Sequence, residues 1–358
     1  MTSTARNSAP VRTTIADARD RFQATPGYLA ACTLGLPTRD SAAAMRSDLE
    51  AWSAGRRSPA DYGAIVECTR AHFARLVHVE PDRIAIGSQT SVLAGMIASS
   101  IPDDGEVLCV DGDFSSIVFP FLQHEHRGVR VRHVPLDALA DNVDERTWLV
   151  AFSLVQSATG EVAEADAIAD AAARVGAFTL CDATQAAGWM PVDAASFDAT
   201  IVHAYKWLCA PRGVAFLAVS PRFAMELRPV HAGWYAGDDP WQSCYGPHMR
   251  LATDGRVFDV SPAWQAWAGA EPAIEFFASL DAADVAAYDG GLGDALCAGL
   301  GIRQRGQAIV TWPDPDGGQL ARLSAAGLVA SGRAGRARVA FHLWNDEVDV
   351  ESVLRALH

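Results

Sequence analysis

All but one of the 29 basic residues in this 358-residue chain are arginine, and the exception is Lys206. A guanidinium stays protonated and is a poor nucleophile, so arginine cannot stand in for a lysine that must bond covalently to a carbonyl or carry a proton. Coding preference explains the scarcity; the setting is what carries information. Lys206 lies in Ala204-Tyr205-Lys206-Trp207-Leu208-Cys209, which is too apolar for an exposed loop. Some twenty residues upstream, Thr179-Leu180-Cys181-Asp182 ends a β-rich run in a carboxylate, and Gln185 follows three residues later. An amine, an acid and an amide are thereby placed at the ends of neighbouring strands. Gly87-Ser88-Gln89-Thr90-Ser91 follows another short run and opens a helix, so its amides and the Thr90 hydroxyl can cradle an anion; serine and threonine there serve equally well as plain caps.

The elements that must position these groups are legible as alternation. Short β-rich runs at 84–86, 107–111, 129–134, 148–153, 178–182, 199–203 and 214–219 are separated by alanine-rich, helically spaced stretches, including 60–77, 91–100 and 162–175. That order predicts an α/β fold with a largely parallel sheet, whose ligands collect at the carboxyl ends of the strands. Beyond about residue 255 the pattern changes to a helix over 262–279, strands at 308–312 and 338–343, and a closing helix over 346–357 with Asn345 as its N-cap and Asp346 and Glu347 facing its dipole. We therefore expect an N-terminal arm and part of a small domain over 1–40, a large domain over 41–255 and a small C-terminal domain over 256–358.

Composition narrows the function. A formal net charge of −14 opposes a phosphate-tracking nucleic-acid surface or an anionic membrane. Residues 1–24 are polar and resemble neither a signal peptide nor a membrane span. Seven scattered cysteines without a Cys-x-x-Cys pair suit buried thiols in a reducing, cytoplasmic compartment. His124-Glu125-His126 lacks the spacing of a helical metal site and reads as a solvated face.

Taken together, Asp182-Ala183-Thr184-Gln185, the Tyr205-Lys206 pair and Pro211-Arg212-Gly213-Val214-Ala215-Phe216-Leu217 resemble the class V aminotransferase group of fold-type I enzymes dependent on pyridoxal 5'-phosphate (PLP). The resemblance implies a large domain with a mostly parallel seven-stranded sheet plus a smaller α+β C-terminal domain. Lys206 would bind PLP as a Schiff base and then move a substrate proton; Asp182 would pair with the pyridine nitrogen and Gln185 with the phenolic oxygen. Gln89, Thr90, His203 and Tyr205 occupy phosphate-binding positions. Phe114, in Asp113-Phe114-Ser115-Ser116, would stack on the ring, and Gln156 would place an amide near the ring oxygen. Arg338 aligns with the arginine that grips the substrate α-carboxylate, a group its planar fork fits. Ser261, in Phe258-Asp259-Val260-Ser261-Pro262, resembles a turn that reaches the neighbouring subunit's phosphate, implying a homodimer with shared sites.

The group spans several reactions on amino acids. Cysteine desulfurases carry a nucleophilic cysteine shortly before the carboxylate-binding arginine, whereas this chain has none after Cys297. A persulfide mechanism is therefore not expected. The stretch around Lys206 and Phe114 favours a C–S β-lyase or related side-chain reaction on a cysteine S-conjugate. Transamination, and kynureninase-like cleavage or epimerisation, are the alternatives. Trp234, Tyr235 and Trp241 lie where they can shape a large pocket or pack an interface.

Overall fold

The computed structural model describes residues 13–358, so the first twelve residues of the expected arm lie outside the described residues. The large sheet contains β1 (Ile84–Gly87), β2 (Glu106–Val110), β3 (Arg130–Val134), β4 (Thr147–Ser153), β5 (Phe178–Asp182), β6 (Ala199–His203) and β7 (Ala215–Val219), in the order β1-β7-β6-β5-β4-β2-β3. β3, β2, β4, β5 and β6 pair in parallel; β7 runs against them, and the edge strand β1, antiparallel to β7, runs in their direction again. Strands such as Leu149-Val150-Ala151-Phe152 and Phe216-Leu217-Ala218-Val219 are buried on both faces, as a sheet covered by helices on both sides demands. Helix Pro59–Leu76 starts with a Ser58–Asp61 capping box and Pro59 in the first turn, and helix Ala165–Val175 stops at Gly176 in the left-handed region (φ 77°). Parallel register sets Asp182 opposite Ser153 on one side and Ile201 on the other.

A second sheet contains β8 (Ile309–Pro313), β9 (Ser331–Arg333) and β10 (Arg336–Ala340), ordered β8-β10-β9 and antiparallel. Val310, Trp312, Ala337 and Val339 pack with Leu292 and Leu296 of helix Ala282–Leu300 and with Val350 and Val353 of helix Glu347–Leu357. The alternate residues Thr311, Ser331, Arg333, Arg336 and Arg338 share the opposite face. The chain near the N-terminus extends this sheet: Tyr28 bridges Val329 and Ala30 bridges Ala340, both in parallel.

Two readings of this region are corrected. The closing helix is capped by Asp346, whose carboxylate accepts from the Val348 amide at 3.0 Å and which forms a capping box with Asp349. Asn345 is instead buried, donating to the Tyr28 carbonyl at 3.0 Å and to Asp349 at 2.8 Å. The second strand spans Arg336–Ala340 and not 338–343, because Phe341 to Leu343 turn away to place His342 in the interior. Helix Ala282–Leu300 has no counterpart in the sequence reading, since Gly290, Gly291, Gly293 and Gly299 look like helix breakers. Two of them permit close packing: a Cβ on Gly293 would sit 2.0 Å from the Gln307 carbonyl, and one on Gly290 2.6 Å from that of Gly306.

Candidate active site

Lys206 stands three residues beyond the end of β6 and is only 5% exposed. Its Nζ lies 5.3 Å from the centre of the Phe114 ring and 5.6 Å from that of Tyr205. Burial pulls the amine down to about 8; Asp182 and the Cys32 thiol oppose that fall, and Arg338 and Arg333 add to it. The loop holding this amine is clamped. A Cβ on Gly35 would sit 1.9 Å from the Lys206 carbonyl, so the N-terminal segment can close over the loop only with glycine there. From the small domain, His342 Nε2 lies 2.8 Å from the Trp207 carbonyl, and its Nδ1 lies 3.2 Å from Asp289.

Asp182 ends β5, buried, and accepts from the Thr184 amide at 2.9 Å. Burial raises its pKa, while the bonds from Thr184 and the charge of Lys206 hold it down. Acid and amine attract without forming an ion pair. Thr184 Oγ1 accepts from the His203 amide at 3.0 Å, which ties the ends of β5 and β6 together. His203 Nε2 is buried and has no hydrogen-bond partner among the described residues. Burial, with the charges of Arg212 and Lys206, depresses this imidazole to about 3, so it is neutral and one ring nitrogen awaits a ligand. Its ring lies 4.3 Å from that of Tyr205, over which the Arg212 guanidinium sits at 4.9 Å.

Thr90 is buried at the start of helix Thr90–Ser99, whose N-cap Gln89 has an exposed side chain that makes no cap bond. Phe114 is 41% exposed and is aimed by Asp113, which accepts from the Phe114 amide at 2.6 Å and from Ser153 Oγ at 2.6 Å. Two amides are committed elsewhere. Gln185 donates to the Cys32 carbonyl at 2.9 Å and to Ser157 Oγ at 3.2 Å, and its oxygen accepts from the Trp207 indole at 2.8 Å. Gln156 donates to Asp113 and to the Ser153 carbonyl, each at 3.2 Å. Both side chains thus brace the site's walls instead of pointing free groups inward.

Arg338 is 1% exposed and donates to Ser331 Oγ at 3.1 Å, to Thr33 Oγ1 at 2.9 Å and to the Ser157 carbonyl. Among the described residues no carboxylate pairs with it. A buried guanidinium held only by neutral groups keeps its charge for an anionic ligand, since an uncompensated buried charge is otherwise costly. Ser261 is exposed in an irregular stretch before helix Trp264–Ser279 and is not among the groups around Lys206. The Trp234 ring lies 5.3 Å from that of Trp241, tilted by 46°, with Tyr235 edge-on to Trp234.

The sequence reading passed over Asp113, Arg212, Ser157, Thr33 and Cys32. Asp113 precedes the singled-out Phe114 but acts on Ser153 and Gln156, 40 and 43 positions on, whereas Arg212 lies inside a quoted motif and sits over the nearby Tyr205 ring. A neutralisable amine near an acid, an aromatic face beside it, a partnerless buried imidazole and a helix N-terminus together suit an aldehyde cofactor with an aromatic ring and a phosphate.

Comparison with known proteins agrees with this inventory. Residues 46–317 match the family described as aminotransferase class-V. The uncharacterized aminotransferase YcbU of Bacillus subtilis is 29% identical over 198 residues, covering 53% of this chain and 54% of the relative. The chain thus spans about half the length of the curated relatives it matches. Among solved structures, the cystine C–S lyase C-DES in complex with cysteine persulfide superposes with a TM-score of 0.83 at 19% identity, covering 93% of this chain and 97% of that one. The cysteine desulfurase CsdA of Escherichia coli superposes with a TM-score of 0.82 at 18% identity, covering 96% and 97%. At these identities the likeness establishes the fold, and one fold here accommodates differently named reactions.

Proposed function

The chain belongs to the class-V aminotransferase family, and from that membership we propose that it is a PLP enzyme that cleaves the C–S bond of a cysteine S-conjugate, releasing pyruvate, ammonia and a thiol. The observation that carries the cofactor reading is the Lys206 amine, buried, 5.3 Å from the Phe114 ring centre and within the field of Asp182, and brought to about 8. PLP, when bound, supplies an electron-withdrawing ring that stabilises negative charge at the substrate Cα. The chain supplies the rest. Asp182 would be the carboxylate that pairs with the ring nitrogen. Thr90, His203 Nε2 and the amides opening helix Thr90–Ser99 take the phosphate. Phe114 would cover one face, and the Arg338 guanidinium would attract the α-carboxylate through its charge and its one uncommitted N–H. Lys206 Nζ would accept the Cα proton while the Cβ–S bond breaks and sulfur leaves with the electron pair, taking a proton to become the thiol; water then hydrolyses the released aminoacrylate to pyruvate and ammonia.

A desulfurase reaction needs an accessible thiol near the carboxylate site. No cysteine follows Cys297, and Cys32, whose thiol acts electrostatically on Lys206 and Arg338, is 1% exposed with its carbonyl held by Gln185. Transamination is the second reading, favoured by the likeness to YcbU; kynureninase-like cleavage or epimerisation would use the same Lys206. We further propose a homodimer in which the exposed Ser261 turn serves the partner's site. No helix among the described residues is long and apolar enough to cross a membrane. The test is incubation of the holoenzyme with S-alkyl cysteines and, separately, alanine. Pyruvate and free thiol from the former support elimination. A stable pyridoxamine form from either overturns it in favour of transamination.

A further inference from the structure

One face of the small sheet is cationic, and its three arginines differ in what they already hold. Arg336 lies opposite Arg333, and Arg338 opposite Ser331, in the antiparallel pair of β10 and β9. Directly opposed residues project to the same side, as do residues two apart along a strand. With Ala337 and Val339 turned into the small domain's core, Arg333, Arg336 and Arg338 share the other face. Arg338 is occupied by Ser331, Thr33 and Ser157, and Arg336 gives Nε and Nη2 to the Thr311 hydroxyl and carbonyl, each at 3.1 Å. Arg333 is exposed, and its hydrogen bond among the described residues runs from Nη1 to the adjacent Gly332 carbonyl at 2.7 Å. No carboxylate among the described residues pairs with it, in a chain carrying 43 acidic residues. Its charge nonetheless reaches inward, lowering the proton affinity of Lys206, Arg338 and Tyr205 alike.

We infer that Arg333 recognises an anionic group at the far end of the substrate side chain, so that the preferred substrates are amino acids bearing a second, distal carboxylate. Arg338 fixes one end of such a molecule and Lys206 the reacting carbon; a side chain extending along the cationic face toward solvent meets Arg333 next. The inference rests on the reading of this site as an amino-acid site with Arg338 on the α-carboxylate, but not on which bond is then broken.

The experiment titrates the PLP-loaded protein with L-2-aminoadipate and with L-norleucine, which share a six-carbon chain and differ in the terminal carboxylate, and reads dissociation constants from the change in cofactor absorbance. The wild type is expected to bind aminoadipate about tenfold or more tightly, the contribution of a charge-assisted hydrogen bond. Arg333→Gln is expected to erase most of that preference and Arg333→Lys to restore part of it. Equal affinities in the wild type, or an unchanged ratio in Arg333→Gln, overturn the assignment. If neither amino acid perturbs the absorbance, the amino-acid reading of the site falls, and the Arg333 inference with it. If the preference holds while S-alkyl cysteines yield no thiol, only the C–S cleavage reading falls and the Arg333 assignment stands.

Discussion

A lysine serves this chemistry only if its amine can shed a proton near neutral pH, and here burial does most of that work. Desolvation lowers Lys206 to about 8 from its ordinary 10.5, despite the attraction of Asp182. The neutral amine is the nucleophile that captures the cofactor aldehyde. Since its fraction grows as pH rises through that value, the rate at which the apo-protein takes up PLP is expected to rise severalfold from pH 7 to 9 with a midpoint about 8, read by stopped-flow absorbance; a profile still climbing toward 10.5 would show an unperturbed amine. The stability sign is opposite to that of an ordinary ion-paired lysine. The unfolded chain holds the proton more tightly, so burying Lys206 costs stability below about 8, and the cost fades as pH rises to the unfolded value. The proximity of Lys206 and Asp182 was legible in the sequence because residue type and spacing suffice to mark them. The commitments of Gln185 and Gln156 were not: Gln185 meets a carbonyl 153 positions away, and only the folded chain shows that both its donors and its oxygen are taken.

At the scale of elements, the 87–90 loop depends on an ion pair outside the site. Arg70 of helix Pro59–Leu76 bonds Asp259 at 2.6 Å and the Ile84 carbonyl, and Asp259 in turn accepts from the Ile86 amide at 2.8 Å. Both charges are buried, and together they join a helix, strand β1 and the turn that leads to Ser261 just where the 87–90 loop departs. In Asp259→Ala the Arg70 guanidinium keeps Glu67 at 3.0 Å but loses its buried acceptor, so the change is expected to destabilise the fold by about 1–3 kcal/mol in urea unfolding. A loss under 1 kcal/mol would show that the pair is solvated. Alternation of apolar runs made the strands of the large sheet readable to within a residue and the three expected crossover helices to within three. Helix Ala282–Leu300 was unreadable because its glycines weaken helix propensity locally while serving packing against 306 and 307, a contact that no local pattern reveals. Asp346 displaced Asn345 as a cap for a similar reason: Asn345 is claimed by Tyr28, more than 300 positions upstream.

For the whole molecule, the site gathers at the carboxyl ends of β2, β4, β5 and β6, with helix Thr90–Ser99 on one flank and β10 on the other. The N-terminal segment closes it, Thr33 touching Arg338, Gly35 packed against the Lys206 carbonyl and the Cys32 carbonyl holding Gln185. Gly35 thus holds the backbone at Lys206, and on the proposed reading substitution of that lysine would remove the covalent anchor while leaving Asp182, His203 and Phe114 in place. The most direct test is an absorbance spectrum of purified protein incubated with PLP and then freed of unbound cofactor. Wild type is expected to retain the visible band of lysine-bound PLP. Lys206→Ala is expected to lack it while keeping the same far-ultraviolet circular dichroism. A wild-type protein without the band, or a variant that keeps it, would contradict the account.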